Sequence, residues 1–370
     1  MSISDVVTYP DYNRCGSNLA ASIAVHFGLN PAHAALPELD IYLNRGYRNV
    51  VLLLLDGLGS STLEEALSQG FLGENKMAEL SAVFPSTTTA ATTTLRSGKN
   101  PCEHGWLGWT MYFRQLGKSV DIFPNNTQFL REQAAHFHAA ETFLPFEDLT
   151  ALITANRTAS GVAISAHDAV YARDMPKLAL RISETCRKPG RHYIYAYLGE
   201  PDTTMHRTGI HSLETETVLK ALDAQIRSLA ESLPDETLLL VTADHGLVDA
   251  SPKLLENHPA LNAMLIRPPV LEPRAAALYV KDEDRERFPD AFHEAFGNSF
   301  ILMERSEAIN RCLFGTGQAI RDLALYLGEW LAISAGEYAL YQKREHCRLI
   351  GMHAGLTRRE MRVPLIIARQ

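Results

Sequence analysis

Cysteine is sparse in this chain and cannot pair fully: Cys15, Cys102, Cys186, Cys312 and Cys347 are odd in number and widely scattered. Neither a disulfide framework nor a Cys-x-x-Cys metal knuckle is available, so these are expected to be reduced thiols. Long apolar runs are missing too. A bilayer-spanning helix needs ~20 residues, whereas the longest run we find, Val50 to Leu55, has strand length. The start, MSISDVVTYPDYNRC, lacks a basic n-region and an apolar h-region. A cytoplasmic protein with no membrane partner is the expectation. The net charge of -8 is spread without a basic run or an acidic tail, so no nucleic-acid surface is evident and any phosphate is met by metal rather than by a Lys/Arg cleft. We find no low-complexity tract and no internal repeat.

What is present reads as an ordinary globular protein, 46% hydrophobic and 21% charged. At 370 residues one large core plus an inserted or appended subdomain is affordable. Short β-rich runs at 49–55, 161–165, 192–198 and 237–242 are each followed by a turn and then a helical pattern, which predicts an α/β fold with a mainly parallel sheet. Runs such as VVLLLL and LLLVTA are continuously apolar, as in strands covered by helices on both faces. Ligand-binding residues then collect where the strands end. We expect a single domain over 1–370, with an aromatic, loop-like wall over the site at 105–150 and a candidate inserted subdomain at 250–345.

Four segments place acidic and His residues at such ends. Asp56 follows VVLLLL; Asp202 and His206 stand i,i+4 in EPDTTMH and share one helical face; Asp244 and His245 follow LLLVTA; His353 lies in GMHAG. Taken singly each has an ordinary structural explanation, a turn or a solvated pair. Taken jointly, three Asp and three His without thiolates suit zinc or manganese better than calcium, and are too many for one tetrahedral ion. Two divalent cations are the simpler account. The Thr-rich stretch from Thr87 to Leu95 reads as the first turns of a helix beginning near Ser86 or Thr87. Threonine is a mediocre helix former, so the composition asks for another reason: a hydroxyl at a helix N-terminus faces an anion-binding position and is activated by a bound cation. Without the ligand set, capping and packing would suffice.

At this point the chain resembles the type I phosphodiesterase/nucleotide pyrophosphatase family of the alkaline phosphatase superfamily. FPSTTTAATTTLRSGKNPCEHG is similar to the family's nucleophile stretch, with Ser97-Gly98 at its Thr-Gly place and His104-Gly105 at its His-Gly place. YLGEPDTTMHRTG resembles its Pro-Asp-x-x-x-His motif, TADHG its Asp-His-Gly, and GMHAG its last metal histidine. The resemblance implies an alkaline phosphatase-like fold, with Thr88 as nucleophile passing through a phosphothreonine. It also implies one ion on Asp202, His206 and His353, and another on Asp56, Asp244, His245 and the Thr88 oxygen. The substrate would be a small-molecule phosphoester, nucleotides included. Departures exist. Trp109 stands where the family has an Asn on the phosphoryl oxygen, and Ala90-Ala91-Thr92 replaces its Pro-Asn-His. Tyr197 occupies the place of a substrate-facing tyrosine, and Arg274 is a candidate second phosphate ligand, although a solvated role is commoner for a lone arginine. His211 and His258 read as structural. A sulfatase is excluded by the missing Cys/Ser-x-Pro-x-Arg. A phosphomonoesterase or phosphonate hydrolase with the same metal site stays open, as does an inactive binding protein on this fold.

Overall fold

The computed structural model describes residues 7–164 and 174–369. The apolar runs become the middle of a six-stranded sheet built from β1 (Asn49–Leu55), β2 (Lys76–Ser81), β3 (Ser160–Ile164), β4 (His192–Leu198), β5 (Thr237–Thr242) and β6 (Arg362–Arg369), in the order β2-β6-β5-β1-β4-β3. Of the run predicted at 161–165, Ser165 lies outside the described residues. Strands β5, β1, β4 and β3 are mutually parallel, and β6 runs antiparallel between β2 and β5. The sheet is therefore mixed, its parallel part being the part that carries the site.

Helices Ser60–Leu67, Met175–Cys186 and Leu213–Ser232 pack together as one layer, and Gly16–His26, Thr88–Ser97 and Leu149–Ala155 as another. Between such covers every residue of β1 is buried, which is why its sequence does not alternate. Register does the rest. Leu55 lies opposite Leu198 and Leu54 opposite Thr242, so three neighbouring strands stop at one level and their next residues emerge side by side.

A second sheet lies outside this core, in the order 301–304, 330–333, 275–278, 270–272, 110–113, 118–121, 126–127. Every pairing in it is antiparallel. The segment read as loop between 105 and 150 thus contains strands. TMYF and KSVD form a hairpin around Gly117, whose φ of 63° is the left-handed value that favours glycine. Leu271 pairs with Thr110, joining the two segments into one wall. The later segment also owns a separate apolar cluster around Phe288, Phe292, Phe296 and Phe300.

Arg274 is corrected by this architecture. It does not reach the substrate side: its side chain is fully buried and its Nε lies 2.7 Å from Glu360 Oε1, with a second nitrogen 2.8 Å from Oε2. Its remaining donors serve the carbonyls of Tyr338 and Gly336. Every nitrogen is engaged, so the guanidinium fastens the second sheet to the segment before β6. Removing one member of a buried pair leaves an uncompensated charge, which costs about 3–5 kcal/mol. Urea denaturation of Arg274→Met should show a loss of that order; a loss below about 1 kcal/mol would contradict this structural role.

Candidate active site

Asp56 follows β1 directly, Asp244 follows β5 after Ala243, and Asp202 follows β4 after a short turn, opening the helix Asp202–Thr208. The backbone ties them: Asp202 N–H donates to the Asp56 carbonyl at 3.0 Å, and Asp56 N–H to that of Leu198 at 2.9 Å. Gly57 N–H donates to Asp244 Oδ1 at 3.0 Å. A side chain at Gly57 would place its Cβ 2.9 Å from Asp202 Cβ, and its φ is 78°, so only glycine lets these strand ends approach.

The histidines complete two groups. Asp202, His206 and His353 offer ligand atoms within 4.8 Å of one another, and so do Asp56, Asp244 and His245. The groups abut, for the His245 and His353 rings stack with centroids 3.8 Å apart. In each histidine Nδ1 meets a backbone carbonyl: Gly351 for His206 (2.6 Å), Ser86 for His353 (3.1 Å) and Gly246 for His245 (3.2 Å). That contact selects the tautomer with a lone pair on Nε2, the form that binds a cation. Among the described residues, Asp202 Oδ1 and Asp244 Oδ2 are buried without any hydrogen-bond partner. Buried carboxylate oxygens without a donor are costly, and a cation is the partner this donor set fits.

Thr88 opens the helix Thr88–Ser97, with Thr87 as its N-cap residue. Its Oγ1 lies 3.5 Å from both carboxylate oxygens of Asp56 and 3.2 Å from His245 Nε2. The rest of the Thr run is explained by burial. Thr92, Thr93 and Ser97 return their hydroxyls to the carbonyls of Thr88, Thr89 and Thr93 at 2.6–2.8 Å, so small polar residues can be packed inside. His104 is likewise structural, fully buried against Thr94 and the Trp106 N–H, with burial driving its pKa down to about 3.

These groups face a cavity of about 690 Å³ lined by Thr88, Trp109, Tyr197, Asp202, His206 and His353, among others. Trp109 is 44% exposed and meets Phe123 edge to face. Trp106 is buried and donates its indole N–H to the Leu144 carbonyl, a packing role. Tyr197 lines the cavity but spends its hydroxyl on Asp56. Of the bystander histidines, His211 is exposed and His258 packs edge to face on Phe296.

Glu272 escaped the sequence reading. It stands on the strand 270–272, lines the cavity, and its Oε1 accepts the Thr87 hydroxyl at 2.6 Å and the Trp109 N–H at 2.7 Å. Burial pushes its carboxyl up to about 7, against the pull of those two hydrogen bonds. In sequence it is only the Glu of VLEPR, without a motif around it. Phe129 and His346, which stack at 3.9 Å across the cavity wall, were equally invisible.

Burial, then the charges of Asp244 and Asp202, hold the Asp56 carboxyl well above its ordinary range. A raised folded-state value means that the ionised form is the destabilising one: the metal-free protein loses stability as pH rises through that range and keeps the deficit at neutrality. Asp56→Asn should therefore raise the melting temperature of chelator-treated protein at pH 7.5 by about 2 °C. A lower melting temperature for the metal-free variant would refute this electrostatic account.

Among known proteins, the family model for type I phosphodiesterase/nucleotide pyrophosphatase matches residues 50–353. No curated protein matches the sequence. Among solved structures, human ectonucleotide pyrophosphatase/phosphodiesterase 5 aligns with a TM-score of 0.67 at 16% identity, over 86% of this chain and 89% of that one. The murine protein, as an inactive variant in complex with AMP, gives 0.66 at 18%, over 85% and 87%. Phosphonoacetate hydrolase from Sinorhizobium meliloti in complex with phosphonoformate gives 0.65 at 17%, over 87% and 90%. At these identities the structures share a fold with this chain, whereas the family model spans most of its sequence, from the first central strand to the last clustered histidine: the chain belongs to the type I phosphodiesterase/nucleotide pyrophosphatase family.

Proposed function

We propose that the protein is a two-metal phosphodiesterase or nucleotide pyrophosphatase whose nucleophile is Thr88. The observation that carries this reading is the placement of the Thr88 hydroxyl, at a helix N-terminus and within 3.5 Å of Asp56 and His245, on the floor of a cavity where two candidate ligand groups meet. Asp202, His206 and His353 would hold one divalent cation, and Asp56, Asp244, His245 and the Thr88 oxygen the other. Zinc is preferred to manganese because histidine nitrogen supplies much of the donor set. When bound, such ions polarise phosphoryl oxygens and lower the pKa of a coordinated hydroxyl.

The chain's own groups do the rest. The N-terminal N–H groups of the helix Thr88–Ser97 favour the phosphate at the position Thr88 faces. Tyr197 fixes one oxygen of Asp56, and the three carbonyls on Nδ1 fix the imidazole rings. Attack by Thr88 Oγ1 forms an O–P bond as the bond to the departing alcohol or phosphate oxygen breaks. Water then cleaves the phosphothreonine, releasing the phosphate product and restoring the hydroxyl. A pocket of about 690 Å³ accommodates a nucleotide-sized diester, and the AMP held by the murine structure, a monoester, is the kind of product that cleavage of such a diester would release. Hydrolysis of a phosphonate is the second reading, favoured by the fold shared with phosphonoacetate hydrolase.

Two measurements test the assignment. Thr88→Ala should lower kcat on bis(p-nitrophenyl) phosphate by roughly a thousandfold or more, with Thr88→Ser retaining part of it; an Ala variant within tenfold of wild type would remove Thr88 from the chemistry. Metal analysis after dialysis against zinc should find about two ions per chain, and His353→Ala about one. Activity that survives exhaustive chelation would overturn the two-metal mechanism.

A further inference from the structure

The wall facing the nucleophile carries negative charge of its own. Glu272 is only 7% exposed, yet it lines the cavity. Both of its hydrogen bonds fall on Oε1, from Thr87, the residue preceding the nucleophile, and from the Trp109 N–H. Asp121 lines the same cavity and is held by the Thr110 hydroxyl at 2.6 Å. Its own nearby cation is Arg131. The charges of Asp121 and Asp202 act on Glu272 with like sign, while of the cations lining the cavity Arg96 is paired with Asp148, and Arg131 and Arg348 stand with it in the lining. A like charge buried beside the reaction centre is felt strongly there, because little water screens it.

Resting on the phosphodiesterase reading above, we propose that the Glu272 carboxylate is a specificity-determining group that favours monoanionic phosphodiesters and disfavours substrates with a further charged oxygen on phosphorus, namely dianionic monoesters and phosphonates. A diester presents a single negative charge shared by two oxygens. A monoester dianion or a phosphonate dianion has a third anionic oxygen, and the side of the pocket next to Thr87 offers it a carboxylate where a cation or a neutral donor would be needed. Discrimination is thus by repulsion of the wrong substrate. Tying the same oxygen to Thr87 and Trp109 keeps that charge in register with the start of the nucleophile helix.

The test uses the full-length, zinc-loaded enzyme at pH 8.5, where the Glu272 carboxyl, with its value near 7, is ionised. Specificity constants for bis(p-nitrophenyl) phosphate and p-nitrophenyl phosphate are compared in wild type, Glu272→Gln and Glu272→Asp. Glutamine keeps an oxygen that accepts both hydrogen bonds and loses the charge; aspartate keeps the charge and draws it back. The monoester-to-diester ratio is expected to rise about tenfold or more in E272Q, with inorganic phosphate becoming a tighter competitor, and to stay near the wild-type ratio in E272D. Glu272→Ala, also charge-free, should move the ratio in the same direction even if the Thr87 contact weakens, so the result does not depend on one variant folding. An unchanged ratio in the charge-free variants of a diester-preferring wild type would overturn the role of Glu272 and leave the phosphodiesterase reading standing. A ratio that moves equally in E272D would overturn it as well, since the hydrogen bonds and not the charge would then be responsible. A wild type that prefers the monoester would overturn both.

Discussion

Three parallel strands, Asn49–Leu55, His192–Leu198 and Thr237–Thr242, end at one level, and the chain leaves each of them carrying a carboxylate into the same small buried volume. Like charges at such spacing in a poorly hydrated place repel. Asp56 registers this most strongly, since its carboxyl is pushed upward first by burial and then by Asp244 and Asp202. The rest of the site answers that repulsion: three imidazoles with their Nδ1 atoms tied to carbonyls, two carboxylate oxygens with no donor, and the Thr88 hydroxyl leaning toward Asp56. Together they form a donor set suited to divalent cations, held in place by the fold against the mutual repulsion of its carboxylates.

Such a centre needs a stiff frame. Gly57 and Gly246 allow backbones to meet where any Cβ would collide, 2.9 Å from Asp202 Cβ in one case and 2.0 Å from the Arg359 carbonyl in the other. The Arg274–Glu360 pair, fully buried, clamps the second sheet onto the segment leading into the last central strand. Because that sheet carries Trp109, Asp121 and Glu272, the clamp indirectly fixes the cavity wall that faces Thr88. The groups proposed to react thus gather at the ends of the central strands, and the facing cavity wall comes from the outer sheet.

That division tracks how much could be read from residues alone. Continuous apolar runs flanked by Asp or His revealed the central strands, because burial on both faces forces such composition whatever the neighbouring strand. The edge strand Ser160–Ile164 was legible too, although exposure returns there and its pattern is weaker. TMYFRQLGKSVD reads as loop although it folds as a hairpin: its strands are short, and the sheet that supports them is reached through Leu271, far along the chain. Arg274 reads as a solvated arginine or a candidate phosphate ligand because nothing near it in sequence announces Glu360.

The sequence by itself determined the chemistry offered: a hydroxyl opening a helix, carboxylates at strand ends and an Asp-x-x-x-His turn are local patterns, legible because each depends on neighbours only a few residues off. Only the tertiary structure decided which groups confront one another. Strand register stacked His245 on His353, cross-sheet pairing drew Glu272 to Thr87 and Trp109, and core packing took Arg274 out of solvent. Contacts between residues 86 to 185 positions apart are selected by the free energy of the whole packed chain, which no local pattern encodes.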